Sequence, residues 1–158
     1  MSLFGSFASD DTVDLVTDSS SWTSFTPAFT SGIGSVGDST YQARYKLLGE
    51  KTIAVAVRYL IGSGATLDST PGAYVLMTSP VSAGYSFGTG LYHVVGTGIF
   101  QYTSTPLSVI GGVRLNPDGK LNFVVPTSYT NVALTNLDGA NCVAGSSQMN
   151  FMAVYELA

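Results

Sequence analysis

From Trp22 onward the apolar and polar positions alternate with a period of two. TYQARYKLL (40–48) sets Tyr41, Ala43, Tyr45 and Leu47 on one face and Gln42, Arg44 and Lys46 on the other. TIAVAVRYLI (52–61) continues the pattern after Gly49-Glu50, with Arg58 opposite Val55 and Val57. Two alternating, β-branched runs around a short Gly-containing turn predict a hairpin. The same spacing excludes a helix here, because helical neighbours on one face recur every three to four residues.

Further strands are predicted at WTSFTPAF (22–29), where Pro27 suits an edge or a bulge, and at AYVLM (73–77). LYHVVGTGIFQYT (91–103) reads as a strand pair or one bulged strand, with Gly96 and Gly98 at the break. PLSVIGGVRL (106–115) and KLNFVVP (120–126) flank NPDG (116–119), where Pro117 and Asp118 suit the centre of a type I turn and Gly119 the left-handed position after it. QMNFMAVYEL (148–157) alternates again and forms the last strand. The stretches 31–39, 62–72 and 79–90 read as loops, and 128–148 as mostly loop with one short strand. Eight or nine short strands with almost no helix signal predict an all-β chain, an antiparallel β-sandwich of jelly-roll type. Residues 1–20 read as a short extended N-terminal arm: MSLFGSFAS, then the acidic, Ser-rich DDTVDLVTDSSS, cannot bury enough apolar surface to fold alone. A short helix over Asp11–Val16 is a weak alternative. The expected organisation is an arm at 1–20 and one β-module at 21–158.

Composition changes this picture in one respect. Charged residues are 10% of the 158, well below the roughly 25% of an average soluble domain, while the hydrophobic share of 45% is ordinary. Gly, Ser and Thr have replaced charge, which leaves a weakly defended surface. That surface is expected to be covered by copies of the chain or by a larger assembly. The net charge of −4 disfavours nucleic-acid binding, which needs clustered cations facing phosphates. Four of the six bases, Arg44, Lys46, Lys51 and Arg58, gather in one hairpin. They are expected to line its polar side, as a solvated or inter-subunit face rather than a binding patch. No apolar run reaches the length of a membrane span, and MSLFGSF lacks the pattern of a signal peptide.

Candidate chemistry is sparse. Cys142 is the sole cysteine, so no intrachain disulfide forms, and it reads as a small core residue. His93, the sole histidine, lies in an apolar strand with no second ligand at metal-binding spacing. The two glutamates, Glu50 and Glu156, sit in a turn and near the C-terminus, while Asp118 and Asp138 precede glycines, where Asp serves turn geometry. No nucleophile elbow or dinucleotide loop is present, so no enzyme, cofactor or metal is expected. The better lead is the set of loop aromatics Tyr85, Phe87, Tyr102 and Tyr129, which suit glycan or protein recognition unless they pack beneath the loops or against a neighbouring subunit.

WTSFTPAF, the following Gly/Ser loop, and STYQARYKLLGEKTIAVAVRYLIGSG together resemble the C-terminal β-modules of phage tail-fibre and minor tail proteins. The closing QMNFMAVYELA is similar to theirs. The resemblance covers residues 22–158 in order of elements and is sharp over Trp22–Gly64. It implies a β-sandwich that trimerises on the virion surface, with other virion proteins as partners and host cell-surface glycans as ligands. In that setting Leu3, Phe4 and Phe7 would anchor the arm to the particle. The chain departs from the family in lacking a fibrous shaft before the module, which suits a capsid decoration, cement or head-fibre protein with no specific receptor as the alternative.

Overall fold

The computed structural model describes residues 21–81, 93–101, 108–128 and 131–157. The strands in chain order are β1 (Thr23–Ser24), β2 (Phe29–Ser31), β3 (Ile33–Ser35), β4 (Thr40–Leu47), β5 (Thr52–Leu60), β6 (Thr66–Leu67), β7 (Leu76–Thr78), β8 (His93–Gln101), β9 (Val109–Leu115), β10 (Lys120–Ser128), β11 (Asn131–Asn136) and β12 (Gln148–Glu156). A 3-10 turn covers Gly139–Asn141. The fold is all-β and antiparallel, a curled, sandwich-like half-barrel. Its large sheet runs β1-β4-β5-β12-β8-β9-β10-β7-β2, with β11 also paired to β10, and β3 pairs with β6 apart from it.

The predicted hairpins are present. β4 and β5 pair in register from Thr40↔Leu60 to Leu47↔Ile53, and Gly49 takes the turn at φ +90°. β9 and β10 join through Asn116–Gly119, where Gly119 donates to the Asn116 carbonyl and takes φ +76°. The Gly96 region is one strand with a bulge between Val94 and Gly96. The final strand, β12, is central, between β5 and β8. Two departures arise in segments read as loops: β3 and β6 pair through Ile33↔Leu67 and Ser35↔Thr66. These strands are two or three residues long, too short for a period to register. The arm at 1–20 and the weak helix over Asp11–Val16 lie outside the described residues.

Chain connectivity forces the curl. β1 and β2 occupy opposite ends of the large sheet, yet only Phe25–Ala28 separates them. A flat sheet of that order would set them about 38 Å apart at 4.8 Å per strand. The linking residues reach roughly 18 Å fully extended, so the edges must come together. Packing follows: Phe29 on β2 meets Tyr59 on β5, ring centroids 4.9 Å apart, and Phe123 on β10 meets Phe151 on β12 at 5.0 Å. The enclosed face carries Ile53, Val55, Val57, Phe100, Val113, Leu121, Phe123 and Tyr155, all buried. Beneath those rings, Gly98 of β8 pairs directly with Gly111 of β9. A Cβ at Gly111 would lie 2.8 Å from the Phe100 ring, so the bare backbone leaves the hollow that the aromatics fill.

Candidate functional site

The residues singled out for recognition, Tyr85, Phe87, Tyr102 and Tyr129, and for anchoring, Leu3, Phe4 and Phe7, all lie outside the described residues. The structure places Asp138, Asp118 and Cys142 in turn and core roles. The Asp138 carboxylate caps the 3-10 turn through Ala140 N (3.0 Å) and also accepts from Gly72 N at 2.8 Å. Asp118 pairs with Lys120 at 2.7 Å across the NPDG turn. Cys142 is buried, and desolvation, helped by the charge of Asp138, pushes its thiol up to about 12, which leaves almost no thiolate at neutral pH. Asp38 binds a neighbouring loop: its Oδ1 accepts from Gly64 N at 2.6 Å and its Oδ2 from Ser63 Oγ at 3.0 Å, and these bonds hold its carboxyl below the usual value. Among the described residues no three His, Cys, Asp or Glu side chains gather as a metal site, and no helix is long and apolar enough to cross a membrane.

What the fold does assemble is a trough of 740 Å³ on the outer face of the sheet. Two rungs of the cross-strand ladder build it. One runs Ser24–Arg44–Ala56–Met152–Thr97 across β1, β4, β5, β12 and β8, and the other runs Gln42–Arg58–Asn150–Ile99. Ala56 explains the depression: a methyl group sits between the long side chains of Arg44 and Met152. Arg44 stands over the Trp22 ring, its Cζ 4.9 Å from the centroid, a cation–π contact that orients an otherwise mobile guanidinium. Arg58 is shared with an adjoining hollow of 300 Å³ that also borders Tyr41, Leu60 and Gln148. Neither Arg44 nor Arg58 has a carboxylate partner among the described residues.

Around the trough the same face is apolar. Ile99 and Ile110 are directly paired on β8 and β9, at 52% and 76% exposure, and Val94, Met152, Val154 and Leu134 are exposed beside them. The alternating pattern is enough to put Arg44, Lys46 and Arg58 on one face. It does not show that Asn150, Ile99 and Met152 line up with them, because that depends on β12 and β8 joining β5. Set against protein-family models, curated proteins and solved structures, the chain matches none.

Proposed function

We propose that this chain is a structural protein of a phage virion, displayed on the particle surface as a homotrimer. Residues 1–20 attach it, and the β-module faces outward, where it aids adsorption to host cell-surface glycans. The observation that carries the assembly part is the outer sheet face. Side chains as large as Ile99, Ile110, Met152 and Val154 stand about half or more exposed on adjacent strands, where a monomer of ordinary surface would carry charge. A subunit that meets its copies or a particle neighbour through this face gains the burial that a monomer lacks. The virion setting rests on the likeness of Trp22–Gly64 to phage tail modules. Repeated display would give avidity even for weak single glycan sites.

The same apolar face favours a second reading, capsid decoration without a receptor, since it suits a protein neighbour better than a sugar. Light scattering on the purified chain is expected to give a trimer, and Ile110→Lys to shift it toward monomer with its circular dichroism unchanged. Deleting residues 1–20 is expected to leave a folded oligomer that no longer joins particles; loss of folding would overturn the arm's role. Immunogold labelling of intact particles locates the protein, and an absence of label would overturn the virion reading. Glycan-array binding by the intact oligomer separates adsorption from decoration.

A further inference from the structure

Two hollows meet where β4 begins and β5 ends. The first, of 300 Å³, holds Gln42, Arg58 and Gln148. The second, of 250 Å³, holds Asp38, Ser63 and Gly145. Thr40 and Leu60, paired across β4 and β5, line both, so the two form one groove. Its Asp38 end is built rigidly. Besides the bonds from Gly64 and Ser63 to Asp38, Gly62 N donates to Ser39 Oγ at 2.9 Å and Gly145 N to the Ile61 carbonyl at 3.0 Å. A Cβ at Gly62 would lie 2.2 Å from Asp38 Oδ1, so only glycine lets the two loops come this close. At the other end, Gln148 Nε2 donates to Gln101 Oε1 at 2.9 Å, which holds the amide and leaves its carbonyl oxygen to accept. Tyr41, stacked on the buried Tyr59 with ring planes at 14°, forms a wall there. Arg58 is exposed and has no carboxylate partner among the described residues.

Opposite charges at the two ends decide the ligand class. The Asp38 carboxyl titrates below its usual value and is ionised at neutral pH, so it repels a polyanion such as nucleic acid or polyphosphate. Arg58 attracts a single anionic group, and a carboxylate matches a guanidinium through two parallel N–H···O bonds. Asp38 already accepts two hydrogen bonds, and its remaining lone pairs suit hydroxyl donors. Between the two ends Leu60 offers an apolar surface to the C–H face of a sugar ring. We infer that the groove binds a short acidic oligosaccharide, with a sugar carboxylate on Arg58 and sugar hydroxyls on Asp38, Ser63 and Gln148. Asp38 touches Gly62, four residues along from Arg58, so the groove follows about 13 Å of extended chain. The inference rests on the adsorption reading and gives it a site and a ligand class. The groove also stays clear of the contacts assigned to copies. It includes none of Ile99, Ile110, Met152 and Val154, and Arg58 is two strand spacings, about 10 Å, from Ile99 on the same rung.

The test titrates the full-length, isotope-labelled chain with methyl glucuronide, with sialyllactose and, as the uncharged control, with methyl glucoside. Either acidic sugar at millimolar concentration is expected to shift the amides of Gln42, Arg58, Leu60, Ser63 and Gln148; the tighter of the two tells a uronate from a sialic acid. Methyl glucoside should bind about tenfold more weakly, the scale of one charge-assisted hydrogen bond. Arg58→Gln should cost the acidic sugar the same factor, and Arg58→Lys, which keeps the charge without the fork, an intermediate one. Lys120→Gln, which removes a positive charge at the β9–β10 turn, should change nothing. Amide positions far from the groove report that each variant stays folded. No shift with either acidic sugar, equal affinity for methyl glucoside, or shifts confined to Ala56, Thr97 and Ile99 in the trough overturns the proposal. The glycan array separates the two readings. Array binding that Arg58→Gln leaves unchanged overturns this site but not adsorption, whereas an array without binding overturns adsorption and the site with it.

Discussion

Phe123 and Phe151 offer a direct measure of the curl. They lie on β10 and β12, three strands apart in the sheet order, which in a flat sheet is about 14 Å. Their ring centroids are 5.0 Å apart with planes inclined at 56°. Both are buried. Leucine at either site keeps most of the volume and removes the ring edge, with an expected cost of roughly 1–3 kcal/mol for each single change. A tilted aromatic pair contributes about 0.5–1.5 kcal/mol beyond its burial, so a double-mutant cycle over Phe123→Leu and Phe151→Leu should give a coupling of about 1 kcal/mol. The milder substitution matters, because two Phe→Ala changes at roughly 3–5 kcal/mol each approach the whole stability of a domain, about 5–15 kcal/mol. Equilibrium unfolding in guanidinium chloride, followed by far-ultraviolet circular dichroism, gives the four free energies, and an unchanged slope validates the comparison. Residues more than about 7–10 Å apart add within roughly 0.3–0.5 kcal/mol. A coupling no larger than that would place the rings apart and refute the curl of the sheet.

Gly98→Ala is expected to destabilise by about 1–3 kcal/mol or prevent folding, because its Cβ would lie 2.5 Å from the Asn150 carbonyl oxygen and 2.6 Å from Phe151 Cβ, where β8 and β12 are already hydrogen-bonded. Gly49→Asn, at a φ of +90° with no atom near its Cβ, is the comparison: it strains only the backbone, at a cost of about 1 kcal/mol, and should be the milder of the two; equal melting temperatures for the two variants would contradict the steric clash at Gly98. Asp38→Asn should lower the melting temperature at neutral pH by weakening the link to Ser63 and Gly64. The Asp38 carboxyl titrates below its unfolded value of 3.8, so its contribution is present above that pH and is lost as pH falls through the folded value; a wild-type advantage that did not shrink as pH falls below 3.8 would refute the assignment. Burial raises the Tyr155 phenol from 10.0 to about 12, against a smaller lowering by its hydrogen bond to Ser79. Between those values the unfolded chain releases a proton that the folded chain keeps, so stability should fall by up to about 3 kcal/mol from pH 10 to 12. Thermal melts should show the loss, and Tyr155→Phe should flatten it; an identical pH slope in that variant would point to another group.

Much of the fold is legible in the sequence, and for local reasons. A period of two decides which side chains share a face, so alternation alone is enough to mark β4, β5, β10 and β12 and to place Arg44, Lys46 and Arg58 together. Gly49 and Gly119 mark turns, the second of them in NPDG, because their positions need positive φ. Cys142 in the core and Asp138 in a turn are legible for the same kind of reason: each depends on its own chemistry and its nearest neighbours. The order of strands is not legible. That β12, last in the chain, lies between β5 and β8 depends on contacts among residues far apart in sequence, and alternation carries no label for a partner. The trough inherits this dependence, since Arg58 belongs to one hairpin and meets Asn150 and Ile99 only when three distant segments align. The curl depends on it too: the sequence supplies a short link at Phe25–Ala28, but only when β1 and β2 are known to be opposite edges does that link require the sheet to bend round on itself.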